Sequence, residues 1–181
     1  MSQEEVIWAP WRMSYIQELS ESGSATPPTP DYHFLPNADL ECFLCQAVAD
    51  VAPHAAQWRH RVAMNEQTIT VLNKYPYNNG HLLVAPRRHV GSLSELTSEE
   101  QLALMQEVTR MTECLRDVVH PDGFNVGINL GCVAGAGLPG HLHIHIVPRW
   151  NGDTNFMPAI GGIKVIPQSL DALWNALTRL A

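Results

Sequence analysis

His141-Leu142-His143-Ile144-His145-Ile146-Val147-Pro148-Arg149 is the stretch on which the rest of the chain turns. Histidine alternates with an aliphatic residue three times, and a period of two is that of a β-strand with one face in a core. The alternation predicts Leu142, Ile144 and Ile146 on the core side. His141, His143 and His145 then share the opposite face, spaced about 6.5–7 Å apart. A solvated strand face is the plain alternative, but three imidazoles in register, followed by Pro148-Arg149-Trp150, ask for a chemical role. Two roles compete. His-x-His on a strand can offer two ligands to one metal ion. Equally, one imidazole can act as nucleophile while its neighbours set tautomer and charge.

Outward from this strand, the preceding Gly131–Gly140 loop is rich in glycine, whose N–H groups can approach an anion closely. It matches neither the dinucleotide fingerprint nor the P-loop. Upstream, Thr97 with Glu100 forms a capping box. It opens a helix with the apolar stripe Leu104, Val108, Met111 and Leu115, which stops at His120-Pro121-Asp122-Gly123. Strands are predicted over Val62–Asn65, Thr68–Asn73, His81–Ala85 and Phe124–Leu130, with Tyr75–Gly80 as a turn. A short helix is expected from Phe43 to Asp50, and Ser169 caps a final helix through Leu180. The elements predict an α+β fold, a mostly antiparallel sheet with one long helix and a C-terminal helix. Residues 1–38 read as an irregular N-terminal arm and 39–181 as a single domain with a C-terminal extension. Within the arm, Ser22–Pro30 cannot build a core. Trp8 and Trp11 are expected to dock on the body or on a second subunit.

At 181 residues, 45% apolar and 16% charged, the chain is globular rather than disordered. Its net charge of −7 argues against a general nucleic-acid binder, while leaving room for a small anion in a local pocket. No apolar run is long enough for a membrane span. The acidic start MSQEEVIWAPWR lacks the features of a signal peptide, so a cytoplasmic protein is expected.

Cys42-Phe43-Leu44-Cys45 has the spacing of a metal or redox pair. If it binds metal, the remaining ligands are histidines, with His89, His81, His54, His60 and the strand histidines as candidates. Cys114 falls in a predicted helix as a small core residue. Cys132 lies in the glycine loop without an assigned role.

The strand His141-Leu142-His143-Ile144-His145-Ile146-Val147 resembles the histidine-triad motif of the HIT nucleotide hydrolases and transferases. The likeness extends from about Asp39 to Asp153 through Leu72-Asn73-Lys74-Tyr75-Pro76, Gly80-His81-Leu82-Leu83-Val84-Ala85-Pro86 and Arg88-His89. The Trp8-Ala9-Pro10-Trp11-Arg12 start and the Pro148–Asp153 ending are similar to the bacterial diadenosine tetraphosphate phosphorylase or hydrolase branch. That resemblance implies a HIT-like fold and a catalytic pair. His143 attacks the α-phosphate of an adenine nucleotide or dinucleoside polyphosphate, and His145 contacts the transferred phosphate. It implies substrate contacts by Asn73 (ribose), His81, Asn129 and the N–H groups of Gly135 and Gly137. It also implies a structural zinc on Cys42, Cys45, His89 and His141, and a homodimer. His145 stands where the galactose-1-phosphate uridylyltransferases carry Gln, which argues against that activity. Gly137-Leu138 stands where other branches carry Gln or Ser, which leaves the leaving-group assistant unassigned and the acceptor open between water and phosphate. Alternatives are an adenylate phosphoramidase-type hydrolase and a nucleotide-binding regulatory module with little turnover. A hydrolytic zinc enzyme using all three triad histidines as ligands is a fourth.

Overall fold

The computed structural model of the chain describes residues 29–154 and 165–181. In order, the elements are α1 (Phe43–Ala49), α2 (Ala55–Trp58), β1 (Arg61–Met64), β2 (Thr68–Leu72), β3 (Leu82–Pro86), α3 (Ser98–Val119), β4 (Gly123–Ile128), β5 (Ile144–Arg149) and α4 (Leu170–Leu177). The strands form one sheet in the order β1-β2-β3-β5-β4, every neighbouring pair antiparallel. The last strand in sequence is therefore interior, seated between β3 and β4.

Alternation sorts the side chains into two layers. Leu72, Leu82, Val84, Leu142, Ile144 and Ile146 pack with α3 and α4 on one face. Ile69, Val71, Leu83 and Ala85 pack with α1 on the other, joined by Phe34, Leu35, Ala38 and Leu138. β2 and β3 are buried throughout, as continuous apolar runs covered on both faces require. The α+β class, the antiparallel sheet, the long helix and the C-terminal helix all stand as expected.

Local chemistry explains the ends. Thr97 Oγ1 accepts from Glu100 N–H while Glu100 accepts from Thr97 N–H, so the capping box that opens α3 is closed both ways. Arg88 grips Glu100 through Nε and Nη2, which ties the segment leading to His89 onto the start of α3. Ser169 caps α4 through Ala172 N–H.

Three details depart from the sequence reading. The triad strand pairs regularly only from Ile144, because Leu142 N–H turns to Val90 O instead of the β3 ladder. α2 has a single turn and no capping side chain, so no periodicity announces it. Residues 29–38 carry no helix or strand of their own, yet they are held. His33 N–H donates to Ala49 O, and Tyr32 bridges Asp50. Trp8, Trp11 and most of Ser22–Pro30 lie outside the described residues. Among the described residues, no helix is long and apolar enough to cross a membrane.

Candidate active site and metal centre

Cys42 is the N-cap of α1, and its Sγ accepts from Cys45 N–H, which puts both thiols at the same helix end. His89 enters from the segment after β3 and His141 from the start of the triad segment. Cys42 Sγ and Cys45 Sγ stand 3.2 and 3.5 Å from His141 Nδ1, and Cys45 Sγ stands 3.2 Å from His89 Nδ1. All four ligand atoms lie within 4.8 Å of one another. Those separations match the edges of a tetrahedron built with metal–sulfur and metal–nitrogen bonds of about 2.3 and 2.0 Å. The His141 Nε2–H donates to Pro86 O at 2.8 Å, which fixes the tautomer and aims Nδ1 at the thiols. Burial pushes the Cys45 thiol pKa up, so a thiolate there depends on a cation beside it. The donor set and geometry fit a closed four-ligand metal site. Among the other candidates, His81 is bonded to His145, His60 pairs with Asp171, and His54 makes no capping bond.

His143 is not one of the four residues of that group. Its Nδ1–H donates to the carbonyl of His141 at 2.8 Å, which selects the tautomer with the lone pair on Nε2. The residue whose ring enters the metal cluster thus sets the tautomer of its neighbour through its main chain.

A chain of contacts fixes His145. Tyr77 N–H donates to His81 Nδ1 at 3.0 Å, and a backbone amide can only donate. The proton of His81 is therefore on Nε2, which stands 2.9 Å from His145 Nδ1. His145 Nδ1 accepts, and its own proton is on Nε2. Burial, with His143 adding repulsion, lowers the His145 pKa to about 4, so the ring is neutral at neutral pH. The Asn129 amide stands 3.4 Å from His145 Nε2 and also 3.4 Å from Gly135 O. In the sheet, Leu83 and Gly127 lie directly beside His145.

Asn73 serves two neighbours. Its Oδ1 accepts from Tyr75 N–H and its amide donates to His81 Nδ1. It also lines a cavity of about 360 Å³, walled by Phe43, Trp58, Val71, Tyr75 and Leu83. α1 thus gives its cysteines to the metal centre and Phe43 to the cavity. The Gly135 N–H is already bonded to Cys132 O, closing a turn, and Gly137 is exposed in the same loop.

Comparison with known proteins follows the same lines. The HIT domain family model matches residues 56–152. The chain belongs to the HIT family. It is 40% identical over 168 residues, 91% of this chain and 77% of the other, to the AP-4-A phosphorylase of Mycobacterium tuberculosis (strain ATCC 25618 / H37Rv). The asymmetrical bis(5'-nucleosyl)-tetraphosphatase of Schizosaccharomyces pombe is 37% identical over 82 residues, 45% of this chain and 44% of that one. A zinc-bound histidine triad family protein of Mycobacterium smegmatis superposes with a TM-score of 0.55 at 26% identity, covering 66% and 81% of the two chains.

Of the triad, His141 alone stands in the four-residue group that could hold a metal. The sequence reading passed over Tyr77, Phe43 and Trp58. Tyr75-Pro76-Tyr77 carried only a turn signal, and nothing in one-dimensional spacing says which face of a turn meets the triad.

Proposed function

We propose that this HIT-family enzyme cleaves adenine dinucleoside polyphosphates, in the manner of a diadenosine tetraphosphate phosphorylase or hydrolase, through a nucleotidyl-His143 intermediate. The observation that carries the reading is the His143 ring, with Nδ1–H tied to His141 O and Nε2 left as a lone pair. His143 Nε2 attacks the α-phosphorus, the bond to the bridging oxygen breaks, and the remaining polyphosphate departs. An acceptor, inorganic phosphate or water, then takes the nucleotidyl group from His143. Dividing one displacement into two is the gain from covalent catalysis.

The other residues have supporting parts. Asn73 meets the ribose at the mouth of the cavity, whose aromatic walls suit a nucleoside. His145 Nε2–H donates to the phosphate or bridging oxygen, and His81 orients His145. Asn129 and the Gly137 N–H border the phosphate path. Gly135 borders it through its backbone alone, since its N–H is engaged.

The metal of Cys42, Cys45, His89 and His141 is zinc in this proposal, because two thiolates and two imidazoles suit its tetrahedral preference. With all four positions filled by protein it is structural. The outer edge of β4, where Val126 is exposed and Leu130 is exposed just past the strand end, is the surface on which a second copy would extend the sheet into a homodimer. None of the four cysteines is in a disulfide, which suits a cytoplasmic enzyme.

The test is product analysis with diadenosine tetraphosphate. ADP and ATP formed only with added phosphate identify a phosphorylase, and AMP and ATP without it identify a hydrolase. Absence of turnover on this substrate and on adenylate amides would leave a binding module. Labelled nucleotide trapped on wild-type protein but not on His143→Ala supports the intermediate.

A further inference from the structure

Two cavities open on the face of the sheet that carries His145. Directly opposite residues of neighbouring strands share a face, and the register sets Val71, Leu83, His145 and Gly127 in one row across β2, β3, β5 and β4. Val71 and Leu83 wall the cavity of about 360 Å³ that Asn73 also lines. His145 and Gly127 wall a second cleft, of about 200 Å³, with Tyr77, Asn125, Asn129 and Val147. The two floors are two strand spacings apart, about 9.5 Å. Their boundary runs between Leu83 and His145, which are cross-strand neighbours.

The second cleft has the chemistry of a site for a flat ring. β4 alternates, so Asn125, Gly127 and Asn129 line the cleft while Phe124 and Ile128 pack against the core on the other face. Gly127 gives a floor without a side chain, and a Cβ built there meets nothing within 4 Å. Val147 adds an apolar wall. Tyr77 adds an aromatic one, placed by stacking on His81 at 4.8 Å and 29° and on His145 at 5.8 Å and 24°. Asn125 supplies a polar edge of set orientation, since its Oδ1 accepts from Arg149 Nη1 at 2.9 Å. Apolar walls, an aromatic ring and a few placed amides are what a nucleobase meets in protein sites. A second copy pairing at the edge of β4 would add its strand in the plane of the sheet and leave this face open.

We propose that this cleft is a second nucleoside site, which takes the half of a dinucleoside polyphosphate that leaves. The inference rests on the nucleotidyl transfer proposed above and names the feature by which that reaction selects its substrate. Two nucleosides are bound at once, one in each cavity, and the phosphate chain runs between them past His143 and His145. The His143 Nε2–phosphorus bond forms at the α-phosphate of the first nucleoside. The phosphorus–oxygen bond breaks, its electron pair stays on the leaving oxygen, and the departing polyphosphate carries the nucleoside of the second cleft with it. The smaller of the two cavities thus holds the half that has to be released, and the acceptor enters on the side it vacates.

Two measurements decide it. The first compares diadenosine tetraphosphate with the terminal methyl ester of adenosine 5'-tetraphosphate. The ester has the same charge, first nucleoside and scissile bond, but a methyl group where the second nucleoside would be. Wild type is expected to show a kcat/KM about 10-fold or more higher for the dinucleotide, a margin within the range that stacking of one base supplies. Gly127→Val fills the floor of the cleft and is expected to lower that ratio about fivefold or more. Damage to His145 would slow both substrates alike and leave the ratio as it was. Equal values in wild type, or an unchanged ratio in Gly127→Val, would overturn the proposal; should that variant not fold, Tyr77→Ala carries the same comparison. The second measurement needs no turnover. In isotope-labelled His143→Ala, the amide signals of Asn125 and Gly127 are expected to move further with the dinucleotide than with the ester. Equal movement, or none with either, would overturn the second site. If wild type cleaves neither compound, the nucleotidyl-transfer reading falls and the amide spectra still judge the cleft.

Discussion

His143 owes its free nitrogen to the carbonyl of His141, two residues back in the chain. His143→Ala is expected to lower turnover by more than about 10³-fold, since removing a nucleophile eliminates the covalent route. Single-turnover kinetics with labelled substrate would check this, and turnover at the wild-type rate would remove His143 from its role. Gly80 offers a second case at this scale. Its φ of +77° lies in the left-handed region, and an added Cβ would come within 3.0 Å of Pro148 Cγ and 3.1 Å of Leu115 Cδ2. Gly80→Ala is expected to cost about 1–3 kcal/mol of stability, by strain and overpacking. Because His81 is the next residue, activity should fall as well. Urea denaturation and steady-state rates would measure the two effects.

Among elements, those with a strong period were legible. α3 shows its cap, its stripe and its stop in the sequence, and the structure places each at the expected residue. Thr97→Ala should cost about 1 kcal/mol, the usual value of a lost N-cap, measured by chemical denaturation, with bound metal unchanged. The face on which His141, His143 and His145 sit was equally legible, because alternation along a strand fixes side. What alternation cannot express is rotation about χ1 and χ2 or the position of a distant turn. So the division of the triad came from likeness to a family, and the Tyr77 contacts did not come from the sequence at all. α2 and the 3₁₀ turn at Cys132–Ala134 were missed because one turn carries no period. α1 gives a further prediction. Cys45→Ser should release the metal and lower stability by more than about 2 kcal/mol, because metal binding to such a site is coupled to folding. Metal analysis and denaturation together would check this, and retention of the metal would remove Cys45 from the ligand set.

At the scale of the whole molecule, proton linkage and assembly become measurable. His145 is driven down to about 4, chiefly by burial, from an ordinary value of 6.5. A histidine depressed in the folded state binds its proton more readily when unfolded. Stability therefore falls as the pH drops from about 6.5 towards about 4 and is level above that window. Melting temperatures across this range would show it, and a flat profile would mean the His145 ring is not held neutral. At the free edge of β4, Val126→Lys is expected to shift the protein towards monomer in sedimentation, since charged edge residues oppose edge-to-edge pairing. An unchanged sedimentation coefficient would place any dimer elsewhere.

The seat of β5 between β3 and β4 also bears on how the chain acquires its activity. Cys42 and His141 are 99 positions apart, and β5, which His141 leads into, is made after the four other strands of the sheet. During synthesis the thiols of α1 and the ring of His89 exist long before their fourth companion. Closing so long a loop is a late and entropically costly step. The carbonyl that prepares His143 belongs to that same late residue. A nascent chain in which Cys42, Cys45 and His89 still lack His141 is therefore also one whose His143 ring has no fixed tautomer, and on the function proposed above catalytic competence arrives only once both are in place.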